Sequence, residues 1–278
     1  MKLAGKAAII TGAGRGIGKA IALAFAREAA NVVVAARTLS EVTETAQQVR
    51  DLGRRALPLT VDVSDRGGVE RMIAAALDKF GKVDILVNNA GTCGPIGPLV
   101  DNDPERWLQT IRINLFGVLF CSRAVLPFMI RERRGKIINL SGGGATSPRP
   151  NFSAYAASKA AVVRLTETLA EEVRGFNIQV NAIAPGAVNT RLTDEILAAG
   201  SAAGEEMLAR TRQQKETGGV PPERAAALAV FLASEESDRL SGRLISAIWD
   251  DWETMNTRVD QIMGSDLYTL RRVVETKR

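Results

Sequence analysis

The sequence predicts an α/β fold, a doubly wound parallel sheet of seven strands with helices on both faces. Seven short apolar or β-branched runs read as strands, at 7–11, 32–36, 56–61, 85–87, 136–140, 178–183 and 244–248. Helix-periodic stretches near 16–29, 40–52, 65–80, 104–131, 153–174 and 222–233 alternate with them. The strand runs are apolar throughout instead of alternating, as expected for strands buried on both faces of a parallel sheet. Right-handed crossovers then wind the chain across the sheet in both directions.

No Pro/Ser-rich linker or internal repeat interrupts this rhythm in the 278 residues, so residues 1–248 are expected to form a single domain. Two segments depart from it. Residues 191–220 form an Ala/Glu/Arg-rich insertion ending in Gly218-Gly219, expected to be a helical flap. Residues 249–278 form a tail with Trp252, Tyr268 and a helix-like run at 267–274, expected to pack on the core or on a partner subunit.

Composition excludes several kinds of chemistry. Apolar residues make up 46% and charged residues 24%, ordinary for a globular chain with a full core. There is no His, so imidazole acid/base catalysis and His-ligated metal sites are excluded, and no metal is expected. Cys93 and Cys121 have no CxxC spacing and read as reduced structural thiols, which suits a cytoplasmic protein. A formal charge of +5 suits an anionic ligand, but the basic pairs Arg54-Arg55 and Arg133-Arg134 form no stripe, so no nucleic-acid partner is expected. No wholly apolar run approaches the ~20 residues of a membrane span, and residues 1–11 lack a secretory pattern.

The first strand runs into Thr11-Gly12-Ala13-Gly14-Arg15-Gly16-Ile17-Gly18 and a helix follows. Glycines at a first strand-to-helix turn let backbone approach a pyrophosphate, which sits at the positive end of the helix. The strict GxGxxG pattern fails because Ile17 occupies its sixth position, and the pattern present is TGxxxGxG. With it come, in order, Asp62-Val63, Asn88-Asn89-Ala90-Gly91, Asn114, Tyr155-Ala156-Ala157-Ser158-Lys159 and Pro185-Gly186. On these motifs, spread over residues 5–245, the chain resembles the short-chain dehydrogenase/reductase family, with its Rossmann-like domain. The first substrate class that the resemblance suggests is a carrier-linked 3-oxoacyl group. The resemblance implies that Asp62 and Val63 contact adenine, that Asn89, Ala90 and Gly91 line the ribose side, and that Pro185, Gly186, Val188 and Thr190 lie along the nicotinamide.

The second strand points to the cofactor. NAD-specific Rossmann proteins end it with an acid that holds the ribose 2′-hydroxyl. Here it ends Ala35-Ala36-Arg37-Thr38, with no acid and with a guanidinium suited to a 2′-phosphate. Arg15 in the glycine loop supplies a second cation. NADP(H) is therefore expected, and NAD(H) is the alternative.

Tyr155 and Lys159 stand four residues apart on a predicted helix and share a face. A nearby ammonium and the cofactor's nicotinamide charge would lower a phenol's pKa from its usual ~10 and fit it for proton transfer at a carbonyl oxygen. The resemblance implies that Asn114 joins a proton relay to Lys159. It also implies a serine thirteen residues before the tyrosine, where this chain has Gly142. Ser141 is the candidate replacement; a backbone N–H or Ser153 is the alternative. At the seventh strand, Trp249-Asp250-Asp251-Trp252 stands where many relatives have Asp-Gly-Gly, which puts a tryptophan pair near the cleft or a subunit contact.

Two functions follow. The first is an NADP(H)-dependent oxidoreductase that interconverts a ketone or aldehyde and an alcohol, with Asn114, Ser141, Tyr155 and Lys159 as its catalytic residues. Its partner is a small carbonyl or alcohol molecule, either a carrier-linked 3-oxoacyl group or a polyol. The alternative, motivated by Gly142 and the tail, is a catalytically impaired dinucleotide-binding sensor or scaffold. Family habit and the long apolar helices suggest a homodimer or homotetramer.

Overall fold

The structure is a computed structural model that describes residues 1–273. Seven strands, β1 (Ala7–Thr11), β2 (Asn31–Ala36), β3 (Ala56–Thr60), β4 (Ile85–Asn88), β5 (Gly135–Leu140), β6 (Ile178–Ala184) and β7 (Leu244–Ser246), form one sheet in the order β3-β2-β1-β4-β5-β6-β7. Every neighbouring pair is parallel. This is the Rossmann-like sheet, and its strand order reverses between β1 and β4. Such a reversal opens a crevice at the carboxyl ends of the strands.

The helices are α1 (Gly16–Arg27), α2 (Leu39–Asp51), α3 (Arg66–Phe80), α4 (Pro104–Ile111), α5 (Gly117–Glu132), α6 (Ser153–Glu172), α7 (Arg191–Ala199), α8 (Glu205–Glu216), α9 (Pro222–Ala233) and α10 (Val259–Met263). One face of the sheet packs on α1, α2 and α9 through Ile21, Phe25, Val42, Val49, Leu228 and Leu232. The other packs on α3, α5 and α6 through Met72, Ile73, Val125, Met129 and Leu169. The strands are therefore covered on both sides, which is why β1 and β5 are buried along their whole length.

The helix expected over 104–131 is continuous in space but changes pitch. Arg112–Phe116 forms a π-turn between α4 and α5, and it carries the buried Asn114. Such turns concentrate at functional sites. By length and composition the whole stretch Pro104–Glu132 is apolar enough to cross a bilayer, which corrects the count made from uninterrupted apolar runs. Val118, Cys121, Val125 and Met129 spend that apolarity in the core.

The tail packs on the core. Trp252, Met255, Val259 and Ile262 join the cluster beneath α1 and α9, with Trp252 tilted against Phe231 at 5.7 Å between ring centres. The two tryptophans therefore separate, because Trp249 lies at the cleft and is 86% exposed. Arg243 ties the tail down by donating to the carbonyls of Ile262 and Ser265 at 2.9 and 3.1 Å. Through residue 273 the run expected to be helical from 267 is instead turn and extended chain; residue 274 lies outside the described residues, as do residues 275–278 of the tail. The physical reason is docking: Leu244 N–H donates to the Tyr268 carbonyl at 2.8 Å, and Leu270 N–H to Glu167 Oε1 at 2.7 Å. These long-range partners replace local helical ones.

Candidate active site

A cleft of about 1280 Å³ runs along the carboxyl ends of the strands, where the sheet order reverses. Its nucleotide half begins at the glycine loop. Gly12 has φ +64°, and a Cβ at Gly18 would lie 2.3 Å from the Gly12 carbonyl oxygen and 2.4 Å from Asn89 Nδ2. No side chain fits there, so the loop is held flat against β4. Asn89 secures it by donating to the carbonyls of Thr11 and Gly12 at 2.9 and 3.1 Å. Thr11 Oγ1 accepts the N–H groups of Asn89 and Ala90 at 3.0 and 3.1 Å. The first-turn N–H groups of α1, which have no intrahelical partner, are left facing the cleft for an anion.

Gly12, Gly14, Arg15, Gly16, Ile17, Arg37, Asp62, Val63, Asn89, Ala90, Gly91, Pro185, Gly186, Val188 and Thr190 all line this cleft. Gly18 is not in its wall and acts by closeness to Gly12. Asp62 Oδ1 accepts the Ser64 N–H at 2.9 Å and its hydroxyl at 2.7 Å, which fixes the turn after β3. Thr190 caps α7, and its methyl group would be 3.4 Å from a Cβ at Gly16, so the far wall leans over the glycine loop.

The structure adds a residue that the sequence reading missed. Glu41, in the first turn of α2, packs against Gly14 and accepts from Arg15 Nη1 at 2.9 Å. An acid therefore does lie beside the glycine loop, on the helix after β2 and paired with Arg15. No sequence signal marked it, since a glutamate at a helix start is ordinary. Arg37, by contrast, lines the cleft without a carboxylate partner among the described residues.

The chemical half is built on β5 and α6. Tyr155 and Lys159 share the buried face of α6, and Tyr155 has no hydrogen-bond partner for its hydroxyl among the described residues. Lys159 Nζ donates to the Leu140 carbonyl at 2.7 Å and lies 5.8 Å from the Tyr155 ring centre. Burial pushes the Tyr155 phenol up to about 12, with the Arg149 guanidinium opposing it. Burial also pulls Lys159 down to about 8. Desolvation is the largest cause of this rise, and the lowering expected from the ammonium together with the nicotinamide charge belongs to the cofactor-bound site.

Asn114 is wholly engaged. Its Oδ1 accepts the Thr92 N–H at 2.9 Å, and its Nδ2 donates to the Thr92 carbonyl and Ser158 Oγ, each at 3.0 Å. Ser158 Oγ in turn donates to the Tyr155 carbonyl at 2.7 Å. The π-turn is therefore clamped to α6 through Ser158, the fourth residue of the Tyr-to-Lys motif. A Cβ at Gly91 would stand 3.3 Å from Asn114 Oδ1 and 3.6 Å from Lys159 Nζ, so this glycine keeps open the space between them.

Ser141 lines the cleft, but its hydroxyl turns to the Lys159 carbonyl at 3.5 Å and makes no hydrogen bond with Tyr155. Ser153 does not line the cleft, and its Oγ accepts from Trp107 Nε1 at 3.0 Å. The reason is visible at Gly142, where a Cβ would lie 2.3 Å from the Tyr155 hydroxyl oxygen. The phenol occupies the space that a side chain at 142 would need. The N–H groups of Gly142, Gly143 and Gly144 have no acceptor among the described residues.

The family model for short chain dehydrogenases matches residues 6–200. The 3-oxoacyl-(acyl-carrier-protein) reductase FabG of Thermotoga maritima is 36% identical over 245 residues, 88% of this chain and 97% of its own. Among solved structures, NAD+-bound xylitol dehydrogenase superposes with a TM-score of 0.82 at 27% identity, over 88% of this chain and 98% of its own. A 7α-hydroxysteroid dehydrogenase, complexed with NADH and 7-oxo glycochenodeoxycholic acid, does so at 0.79 and 33% identity, over 88% and 93%. A match over most of the chain, on the sheet order and motifs described above, leaves one conclusion: the chain belongs to the short-chain dehydrogenase/reductase family, oxidoreductases that act on alcohol and carbonyl groups with a nicotinamide dinucleotide.

Proposed function

We propose that the protein is an NADP(H)-dependent carbonyl reductase in which Tyr155 is the proton donor to the substrate oxygen. The observation that carries the reading is the Tyr155 hydroxyl, without a hydrogen-bond partner among the described residues at the cleft wall beside Gly142. When bound, the nicotinamide supplies or takes up a hydride at the substrate carbon. A phenol held up to about 12 is protonated at neutral pH and so ready to give a proton as the carbonyl is reduced. Positive charge brought close by the oxidised cofactor favours the phenolate in the reverse direction.

Lys159 holds the cofactor ribose and tunes Tyr155, while Asn114 fixes the π-turn so that the gap beside Gly91 can pass a proton towards Lys159. Ser141 or the free N–H groups of Gly142 to Gly144 polarise the substrate oxygen; the amides are the better placed, since the Ser141 hydroxyl faces α6. Backbone donors aimed at a developing oxyanion are an effective arrangement. Arg37 grips the 2′-phosphate, and Arg15 joins it when it leaves Glu41. Two structural neighbours hold NAD+ and NADH, so the preference rests on Arg37 and Arg15 alone. The active form is a homodimer or homotetramer in the cytoplasm, with the half-exposed Phe116 and Leu119 in its interface.

The test is a titration with NADPH and NADH, followed by a ketone and alcohol panel on wild type and Tyr155→Phe. Tighter NADPH binding with Tyr155-dependent turnover is expected. Tight cofactor binding without any Tyr155-dependent turnover would return the sensor reading.

A further inference from the structure

The substrate end of the cleft has an apolar wall: Cys93, Tyr155, Leu192, Ile196 and Met207 line it, with Phe152 and Ala203 buried behind them, while Arg191, Asp194, Glu195, Arg210 and Lys215 of the flap line the same cleft. Into this wall comes Arg149, from the loop between β5 and α6. Its guanidinium carbon lies 4.5 Å from the Phe152 ring centre and 5.5 Å from that of Tyr155.

Its polar contacts are poor. Nη1 donates to the Gly143 carbonyl at 3.4 Å and Nη2 to Met207 Sδ at 3.7 Å, while Nε is buried with no partner. A guanidinium has five N–H donors, and a thioether is a weak acceptor. No carboxylate lies within ion-pair distance of Arg149 among the described residues. The other cations of the flap differ: Arg191 pairs with Glu195 at 3.4 Å, Arg210 with Glu206 at 2.6 Å and Lys215 with Asp194 at 2.6 Å. Stacking on two rings offsets part of the cost of holding a charge against an apolar wall, but leaves its in-plane donors unused.

We propose that Arg149 is the substrate-recognition residue, taking a carboxylate carried on the carbonyl substrate, so that the enzyme reduces short oxo acids. The planar fork of the guanidinium matches a carboxylate with two parallel hydrogen bonds. Its place on the Tyr155 ring puts that carboxylate a short chain away from a carbonyl oxygen held at the phenol. The apolar surroundings strengthen the pairing and reject neutral polar groups that cannot satisfy the arginine. Met207 Sδ is the contact that such a substrate displaces, which couples binding to α8 of the flap. The inference rests on the reading of Tyr155 as the proton donor, since it places the carbonyl relative to that hydroxyl.

The experiment uses pyruvate, acetoacetate and levulinate, each beside its methyl ester. Binding to the protein saturated with NADP+ is measured by calorimetry, and turnover with NADPH separately. At least one acid is expected to bind about 10- to 100-fold more tightly than its ester, the scale of a charge-assisted pair. Arg149→Gln should bring that ratio close to one while leaving NADPH affinity in place, which reports that the variant is folded. Arg149→Lys, with a charge but no fork, should fall between. Acid and ester binding alike in the wild type, or no binding by any acid, overturns the proposal whatever the variants do. A ratio unchanged in Arg149→Gln overturns it too. Arg149-dependent binding of an acid that is never reduced would keep the carboxylate site and instead sink the Tyr155 reading.

Discussion

The nucleotide half and the substrate half of the cleft use glycine in opposite ways. At Gly18 the missing Cβ would strike a carbonyl oxygen and a side-chain amide that are both held by other bonds. Nothing there can give way, so the residue type is dictated by backbone packing. At Gly142 the missing Cβ would meet only the far end of Tyr155. A ring can swing where a backbone cannot, so glycine at 142 sets where the Tyr155 hydroxyl rests and not whether the fold closes. Shape is enforced in the first half and adjusted in the second.

The comparison is sharpened most by Tyr155→Phe. It removes the proton donor without touching the nucleotide half, so kcat should fall ~10²–10⁴-fold while NADPH affinity, read by fluorescence titration, stays. An equal loss in affinity would mean that the halves are not separable. Gly18→Ala should do the reverse damage. Forcing a methyl group into packed backbone costs about 1–3 kcal/mol, seen as a lower Tm and weakened NADPH binding. A Tm equal to wild type would show that the loop yields.

Arg37→Asp follows, with NADPH over NADH preference in kcat/KM expected to drop about 10- to 100-fold. Glu41→Gln should move that preference the other way, by releasing Arg15. No change in either variant would remove the phosphate clamp. The pH dependence comes next. A lysine pulled down to about 8 keeps its ammonium below that pH and loses it above. If the ammonium holds the cofactor, kcat/KM for NADPH should decline above pH 8, by roughly tenfold per unit at the steepest. Lys159→Arg, charged throughout, should flatten that limb, and a limb that persists would assign it to another group. The smallest effect is expected of Gly142→Ser: stability near wild type by chemical denaturation, with kcat shifted only several-fold as Tyr155 moves aside. Unfolding on a par with Gly18→Ala would erase the distinction between the halves.

How much was legible follows the same division. The seven strands, the glycine loop, Tyr155 and Lys159 could be read because each leaves a local mark: apolar runs, glycine where backbone meets backbone, or a four-residue helical spacing, whereas Asn114 was read only from the family resemblance. The unread features come from distant segments meeting. Glu41 reaches Arg15 across a strand and a turn, Ser158 rather than Lys159 receives Asn114, and Arg149 reaches Tyr155 over a loop with no spacing rule. The 267–274 run has helical periodicity, yet through residue 273 its backbone bonds go to β7 and α6. The direction in which Ser141 points also had no local sign.

By itself, then, the sequence determined the parallel sheet, the dinucleotide cradle and the tyrosine–lysine pair, because periodicity and close backbone packing act between near neighbours in the chain. Only the tertiary structure decided which charges are paired, which way the hydroxyls at the cleft turn, and that Arg149 meets an apolar wall with no carboxylate partner among the described residues. Those outcomes depend on desolvation and on partners brought from remote segments, and no local pattern of residue types encodes them.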